Sequence, residues 1–391
     1  MPLSIDFHSL VFIIAAVQGI ILSVFLFFRS DKNQVANQVL SLLVGLFSVN
    51  LLIRELTRNF HETLPHLIAS SDPFLFLYGP FIFFYTKLII REKRSFSKPD
   101  MFHLIPFLVC ILLFLPFYIK SGEAKLDVIS EALPGLFFYV WISACIHIAA
   151  YVFLAIGSIN EYRYKIKQRF SSIGKLDFKW LQYILVVNLI IWLFDAFVIT
   201  SHLLGIELEA FVKIDQFMGY ILSGFIYFLG YRALVKHEHS IKQKTGSELQ
   251  LIKSSGAKKY ERSGLTLLKA EEYKKELLDY MENENPHLNP EITLSDLSEA
   301  LSIPNNHLSQ VINQKFDKNF FDFVNGYRIE EAKEWLSDSE RSKETMLMIA
   351  FESGFKSKST FNNAFKKHEG ITPSQYKKEH SISPSSSRSG S

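Results

Sequence analysis

The chain has 391 residues, of which 48% are hydrophobic and 14% aromatic, and it carries a net charge of +3 at pH 7. That length allows two or three domains, while the charge is too mild to mark a nucleic-acid binder from totals alone. Only two cysteines occur, Cys110 and Cys145, both inside apolar runs, which excludes a disulfide scaffold and a cysteine-based zinc site.

The composition is divided. Residues 1–235 are dense in Phe, Leu and Ile, and residues 236–391 read as an ordinary charged soluble protein. A helix that crosses a bilayer needs about 20 mainly apolar residues. Seven stretches approach that length: 7–28, 35–53, 73–90, 102–119, 134–156, 181–204 and 211–234. Gly79-Pro80, Pro106 and Pro116 predict kinks in the third and fourth. Residues 1–6 hold no Lys or Arg, so the first span reads as a retained helix rather than a cleaved signal peptide.

Lys and Arg concentrate on the cytoplasmic side of membrane helices. Fifteen follow spans one, three, five and seven, among them Arg29, Lys93, Arg163 and Lys236; five, namely Arg54, Arg58, Lys120, Lys125 and Lys213, lie on the other side. The N-terminus is therefore expected outside and the C-terminal region inside. The external stretches 54–72, 120–133 and 205–210 are too short to bury a core. Any signal, a ligand or a partner protein, must enter through the bundle, its rim or the lipid. Polar groups within spans are costly and often functional. Asp195 and Asn188 share a face of span six, and His147 lies near the middle of span five. They make a candidate sensing cluster, with a polar contact that glues helices as the alternative. Ala15, Gly19 and Ser23 repeat every four residues and predict close packing, within the bundle or in a homodimer.

Residues 236–264 are Lys- and Ser-rich and read as a connector, or as a short amphipathic helix on an anionic membrane surface. His237 and His239 in it are only a weak metal hint. From residue 265 a helical period begins, with Tyr273, Leu277, Leu278 and Met281 on one helix. Thr293 can cap the next, whose apolar face is Leu294, Leu297, Ala300 and Leu301. Ser302 opens a turn, and Pro304 is placed for the first position of another helix. That helix turns Leu308, Val311 and Ile312 inward, with Asn306, Ser309, Gln310 and Asn313 on the opposite face and Asn305 and Lys315 at its ends. A long helix over 319–336 follows, and the pattern then repeats. Met346, Ile349 and Ala350 precede a turn at Gly354, and Ser357 caps a helix that buries Phe361 and Phe365. Its outer face holds Lys358, Ser359, Asn362, Asn363, Lys366 and Lys367, with Lys356 just before it. Residues 356–378 contain six Lys against one Glu, which suits phosphates.

A short helix, a tight turn and a polar-faced second helix form a helix-turn-helix, whose second helix can enter a major groove. Two copies on one connecting helix are harder to dismiss than one. Residues 270–378 resemble the AraC/XylS-type DNA-binding domain of bacterial transcription regulators. The matching words are "LSDLSEALSIPNNHLSQVINQKFDKNFFDFVNGYRIEEAKEWL" and "IAFESGFKSKSTFNNAFKKHEGITPSQY". Gly354-Phe355, Phe361, Phe365, Gly370, Pro373 and Tyr376 match the family ending, and Arg328, Ile329 and Ala332 match its linker helix. Asn363 departs from it, where the family often has Arg or Lys. The resemblance implies two recognition helices in successive major grooves of promoter DNA and says nothing about the seven spans; taken with those spans, it gives the expectation of a regulator in a bacterial inner membrane with RNA polymerase as a partner. No Walker loop, dinucleotide turn, HExxH helix or G-x-S-x-G elbow is present, and nothing argues for an enzyme or a cofactor. The expected organisation is all-α: a seven-span bundle over 1–235, a linker over 236–264, the DNA-binding domain over 265–380 and a disordered tail over 381–391. A transporter-like or receptor bundle whose tail docks a protein is the rival reading.

Overall fold

The protein is described by a computed structural model over residues 6–29, 34–91, 98–130, 134–173, 177–203, 217, 219–224, 226–228, 265–338, 341 and 344–380. The expected linker, with His237 and His239, the tail and most of the seventh stretch lie outside the described residues. Regular structure among the described residues is helical, and one antiparallel bridge joins Phe170 to Thr293. The chain forms two units: residues 1–162 with 178–245, and residues 163–177 with 246–391.

In the first unit, α1 (Phe7–Phe28), α2 (Gln34–Phe60), α3 (Leu75–Arg91), α4 (Ile105–Tyr118), α5 (Gly122–Ser130), α6 (Pro134–Lys167, whose end from Arg163 on belongs to the second unit) and α7 (Lys179–Leu203) follow in order. Asp6 caps α1 by accepting from the Ser9 amide. Among the described residues, five helical stretches are long and apolar enough to cross a membrane: Phe7–Phe28, Gln34–Phe60, Pro65–Ile90, Lys98–Tyr118 and Phe137–Lys167. The sixth and seventh expected spans are represented by shorter apolar pieces, Lys179–Phe194 and Gly219–Phe228. Helix α3 continues through Pro80 and α4 through Pro116.

Small residues seat α1 on α2. Ala15 is buried, and a side chain begun at Gly19 would meet the Ser48 hydroxyl 2.1 Å away. Ser23 donates to the Ser41 carbonyl at 2.8 Å, and Ser41 returns a bond to the Ser23 carbonyl at 2.6 Å. The expected repeat therefore works inside the bundle. Many outward side chains of this unit are large and apolar, among them Phe7, Ile21, Phe28, Leu112, Ile146 and Phe153. Exposed apolar side chains in such number suit surroundings of lipid or protein.

The second unit contains α8 (Leu267–Glu284), α9 (Leu294–Ala300), α10 (Asn305–Phe316), α11 (Phe320–Ser337), α12 (Met346–Glu352), α13 (Lys358–Glu369) and α14 (Pro373–His380). It has two cores joined by α11. Phe320, Phe323 and Val324 from its first half pack with Leu277, Leu294, Leu297, Leu308 and Ile312. Ile329, Ala332 and Leu336 from its second half pack with Ile349, Ala350, Phe355, Phe361 and Phe365.

Candidate nucleic-acid interface

Local chemistry explains the interface helices. Thr293 accepts from the Asp296 amide while the Asp296 carboxylate accepts from the Thr293 amide, a complete capping box at the start of α9. Ser357 accepts from the Thr360 amide and caps α13 as expected. Pro304 sits one residue earlier than expected, as the N-cap of α10 rather than its first helical residue.

The two turns are built alike. After α9, the Ser302 amide donates to the Glu299 carbonyl at 3.2 Å and the Ile303 amide to the Ser298 carbonyl at 3.0 Å. After α12, the Gly354 amide donates to the Phe351 carbonyl at 2.9 Å and the Phe355 amide to the Ala350 carbonyl at 2.9 Å. This is the Schellman pattern, which needs a left-handed residue after the helix. Ser302 (φ 54°) and Gly354 (φ 84°) supply it. The following residues, Ile303 and Phe355, are both 1% exposed and anchor their turns in the two cores. The helices also agree in length, with 7 residues in α9 and α12 and 12 in α10 and α13. Two helix-turn-helix units thus stand on one connecting helix.

Residues 297–379 match a helix-turn-helix domain profile. The C-terminal unit carries an AraC-type helix-turn-helix domain. An uncharacterized HTH-type transcriptional regulator of Staphylococcus aureus (strain COL) is 34% identical over 102 residues, covering 26% of this chain and 13% of that protein. The uncharacterized HTH-type transcriptional regulator YtdP of Bacillus subtilis (strain 168) is 32% identical over 89 residues, covering 23% of this chain and 11% of that protein. This chain therefore spans only 11% to 13% of the length of those relatives. The C-terminal domain of AraT, a response regulator from Geobacillus stearothermophilus, aligns with 32% of this chain and 96% of its own length, at 24% identity and a TM-score of 0.26.

Within the helix-turn-helix domain, the expected contact residues differ in availability. Asn305 and Asn306 on α10 are exposed, and so are Lys358, Ser359, Asn363, Lys366 and Lys367 on α13; Asn362 and Ser309 are half-buried. Lys358 and Lys366 carry no ion pair among the described residues. Lys356 pairs with Glu291 at 2.9 Å, Lys367 with Asp322 at 2.7 Å, and Lys315 with Glu271. Exposed pairs of this sort are worth about 0–1 kcal/mol, so a phosphate can replace the carboxylate at little cost.

Gln310 departs from expectation. Helical spacing sets it about 200° from Leu308, on the face away from the core, yet only 7% of it is exposed. Its amide group donates to Gln314. The pattern of apolar residues shows which face meets the domain's own core, but not what else covers the opposite one. Asn313 on that face exchanges two hydrogen bonds with Gln168, at 2.9 and 3.2 Å.

Sequence reasoning named Arg328 as a family match but did not foresee that it is a buried cation. Arg328 is 1% exposed, and burial pulls its guanidinium down to about 10, so it remains charged at neutral pH. Its Nε donates to the His287 carbonyl at 2.7 Å and its Nη2 to the Asn289 carbonyl at 2.8 Å. An Arg on a helix that is otherwise apolar on that face was the available signal. Glu330, His368 and Glu369 bring possible metal-ligand atoms within 4.8 Å of one another. Lys333 already sits against both carboxylates, at 3.0 and 3.2 Å, and acts as the cation there.

In the first unit, Asn188 lines a cavity of about 460 Å³ with Tyr78, Trp141, Trp192, Arg54 and Asp72. The Asn188 side-chain oxygen and the Tyr78 hydroxyl, both buried, have no hydrogen-bond partner among the described residues. His147 lies elsewhere, edge-on to Phe76 and Tyr151, and does not line that cavity. Among the described residues no hydrogen bond joins His147 to Asn188, and the rings of Phe76 and Tyr151 lie beside His147 instead. The side chain of Asp195 lies outside the described residues.

Proposed function

We propose that this protein is a membrane-bound one-component transcription regulator. Two helix-turn-helix units read promoter DNA directly, and a seven-span bundle in a bacterial inner membrane anchors them or passes a signal to them. The observation that supports this reading is the pair of matching helix-turn-helix turns on one connecting helix, in a chain with five membrane-length apolar helices among its described residues. In this reading α10 and α13 enter successive major grooves, with Asn305, Asn306, Ser309, Asn313, Ser359, Asn362 and Asn363 toward bases. Lys315, Lys356, Lys358, Lys366 and Lys367 meet phosphates. RNA polymerase is the downstream partner, and pairing of two chains on adjacent half-sites supplies affinity that one module lacks. The protein is not an enzyme, and the cavity beside Asn188 is where a signal molecule would enter.

Genome-wide mapping of DNA bound by the full-length protein tests the reading. Discrete promoter peaks that vanish when Lys358 and Lys366 are both changed to Ala are expected. Capture of proteins with no bound DNA would favour the rival reading of a tail that only docks a partner.

A further inference from the structure

We propose that the face of the DNA-binding domain formed by residues 292–294, Asn313 and Arg328 is a docking site for residues 167–173 of this same chain, and that DNA and this segment compete for Asn313. The inference rests on the reading of Asn313 as a DNA-facing residue.

The segment lies in the second unit although it directly links α6 and α7 in sequence. It adds to the domain as a short strand adds to a sheet edge. The Leu294 amide donates to the Arg169 carbonyl at 2.9 Å, Phe170 and Thr293 form the antiparallel bridge, and the Ser171 amide donates to the Ile292 carbonyl at 3.4 Å. The Ser171 hydroxyl also donates to the Ile292 carbonyl, at 2.7 Å. Lys167 stands over the Phe321 ring at 5.4 Å.

Arg328 shows that the groove is made for a neutral, acceptor-bearing backbone. Its Nη1 donates to the Ser171 carbonyl at 3.2 Å and its Nη2 to the Ser171 hydroxyl at 3.1 Å, and Ser171 is fully buried. Its remaining bonds go to carbonyls and to Asn325, with no carboxylate among them. Removal of the segment would strip a buried guanidinium of two acceptors, which is the costly way to lose a hydrogen bond.

The same segment reaches the recognition helix. Gln168 and Asn313 bond amide to amide, a complementary pair that uses the donors and acceptors Asn313 would need to read a base edge. Gln310, on the same outward face, is also buried. With the segment docked, α10 is closed to a base at Asn313; DNA entry requires at least the Gln168 end of the segment to lift. Because the segment joins two apolar helices of the first unit, a shift in those helices would pull on the same contact.

The test uses the full-length protein in lipid nanodiscs and a fluorescent duplex selected by that protein from a random-sequence library. Gln168→Ala should tighten duplex binding by roughly three- to tenfold, the worth of one or two side-chain hydrogen bonds. Hydrogen exchange at the Leu294 and Ser171 amides should quicken when duplex is added. Unchanged affinity together with amides that stay protected on DNA would make the segment a fixed part of the domain and overturn the proposal. Weaker binding by Gln168→Ala would overturn it as well, because Gln168 would then assist DNA. If Lys366→Ala leaves binding and its salt dependence untouched, the DNA-facing assignment itself has failed, an outcome separate from the other two.

Discussion

At the scale of single residues, the two kinds of interface side chain should behave differently. Asn306 is exposed on α10, and Ala there should relax base preference at one position, costing about 1–3 kcal/mol for a lost bidentate contact. Lys366 is exposed on α13, and Ala there should weaken all sequences about equally and lower the salt slope by about one. Titrations of matched and mismatched duplexes at several salt concentrations separate the two; reversed effects would exchange the roles. His287 offers a pH prediction. Burial lowers its pKa below the usual histidine value, although Glu331, 3.8 Å away, pulls the other way. The unfolded chain therefore binds the proton first. The contribution is full above about pH 6.5 and is lost as pH falls toward the folded value. Thermal unfolding at pH 7.5 and 5.5 should show a smaller acid loss for His287→Gln than for the native protein. Equal losses would remove His287 as the cause.

At the scale of elements, the two turns share a hydrogen-bond pattern but not a residue, and this makes them separable. A Cβ at Gly354 would lie 2.4 Å from the His287 carbonyl oxygen, in addition to the strain of φ 84°. Gly354→Ala should cost well over about 1 kcal/mol, since both a clash and a left-handed penalty apply. Gly370 has φ 79° and open space around it, so Gly370→Ala should cost only about 1–2 kcal/mol. Ser302→Gly should leave stability unchanged or raise it by up to about 1 kcal/mol, by relieving φ 54° where glycine is at ease. Urea unfolding of the three variants gives the order; Gly370→Ala costing more than Gly354→Ala would contradict the contact geometry.

For the whole molecule, the prediction concerns direction. Lys125 is buried and within 3.0 Å of His66, so a reporter inserted there would break packing. The exposed turn at Glu62 is a better place for the external reporter, paired with one fused after Lys236. Opposite activities at the two sites are expected, and signals from the same face would overturn an odd number of spans. The ends of α1, the double helix-turn-helix and the Thr293 and Ser357 caps were legible in the sequence, while Pro304 proved to be one residue off. Five of the seven expected spans reach membrane length among the described residues, and the sixth and seventh are represented there by shorter apolar pieces.

What the sequence determined by itself was local. Apolar periodicity, the Thr293 and Ser357 caps and the Gly354 turn depend on atoms within about five residues, so neighbouring letters carry the information. Only the tertiary structure decided which residues share a groove. Ser171 meets Ile292 across 121 positions and Arg328 across 157, and the cover over Asn313 comes from Gln168, 145 positions away. A buried arginine takes whatever acceptors the folded surroundings bring to it, and periodicity says nothing about where in the chain those acceptors begin.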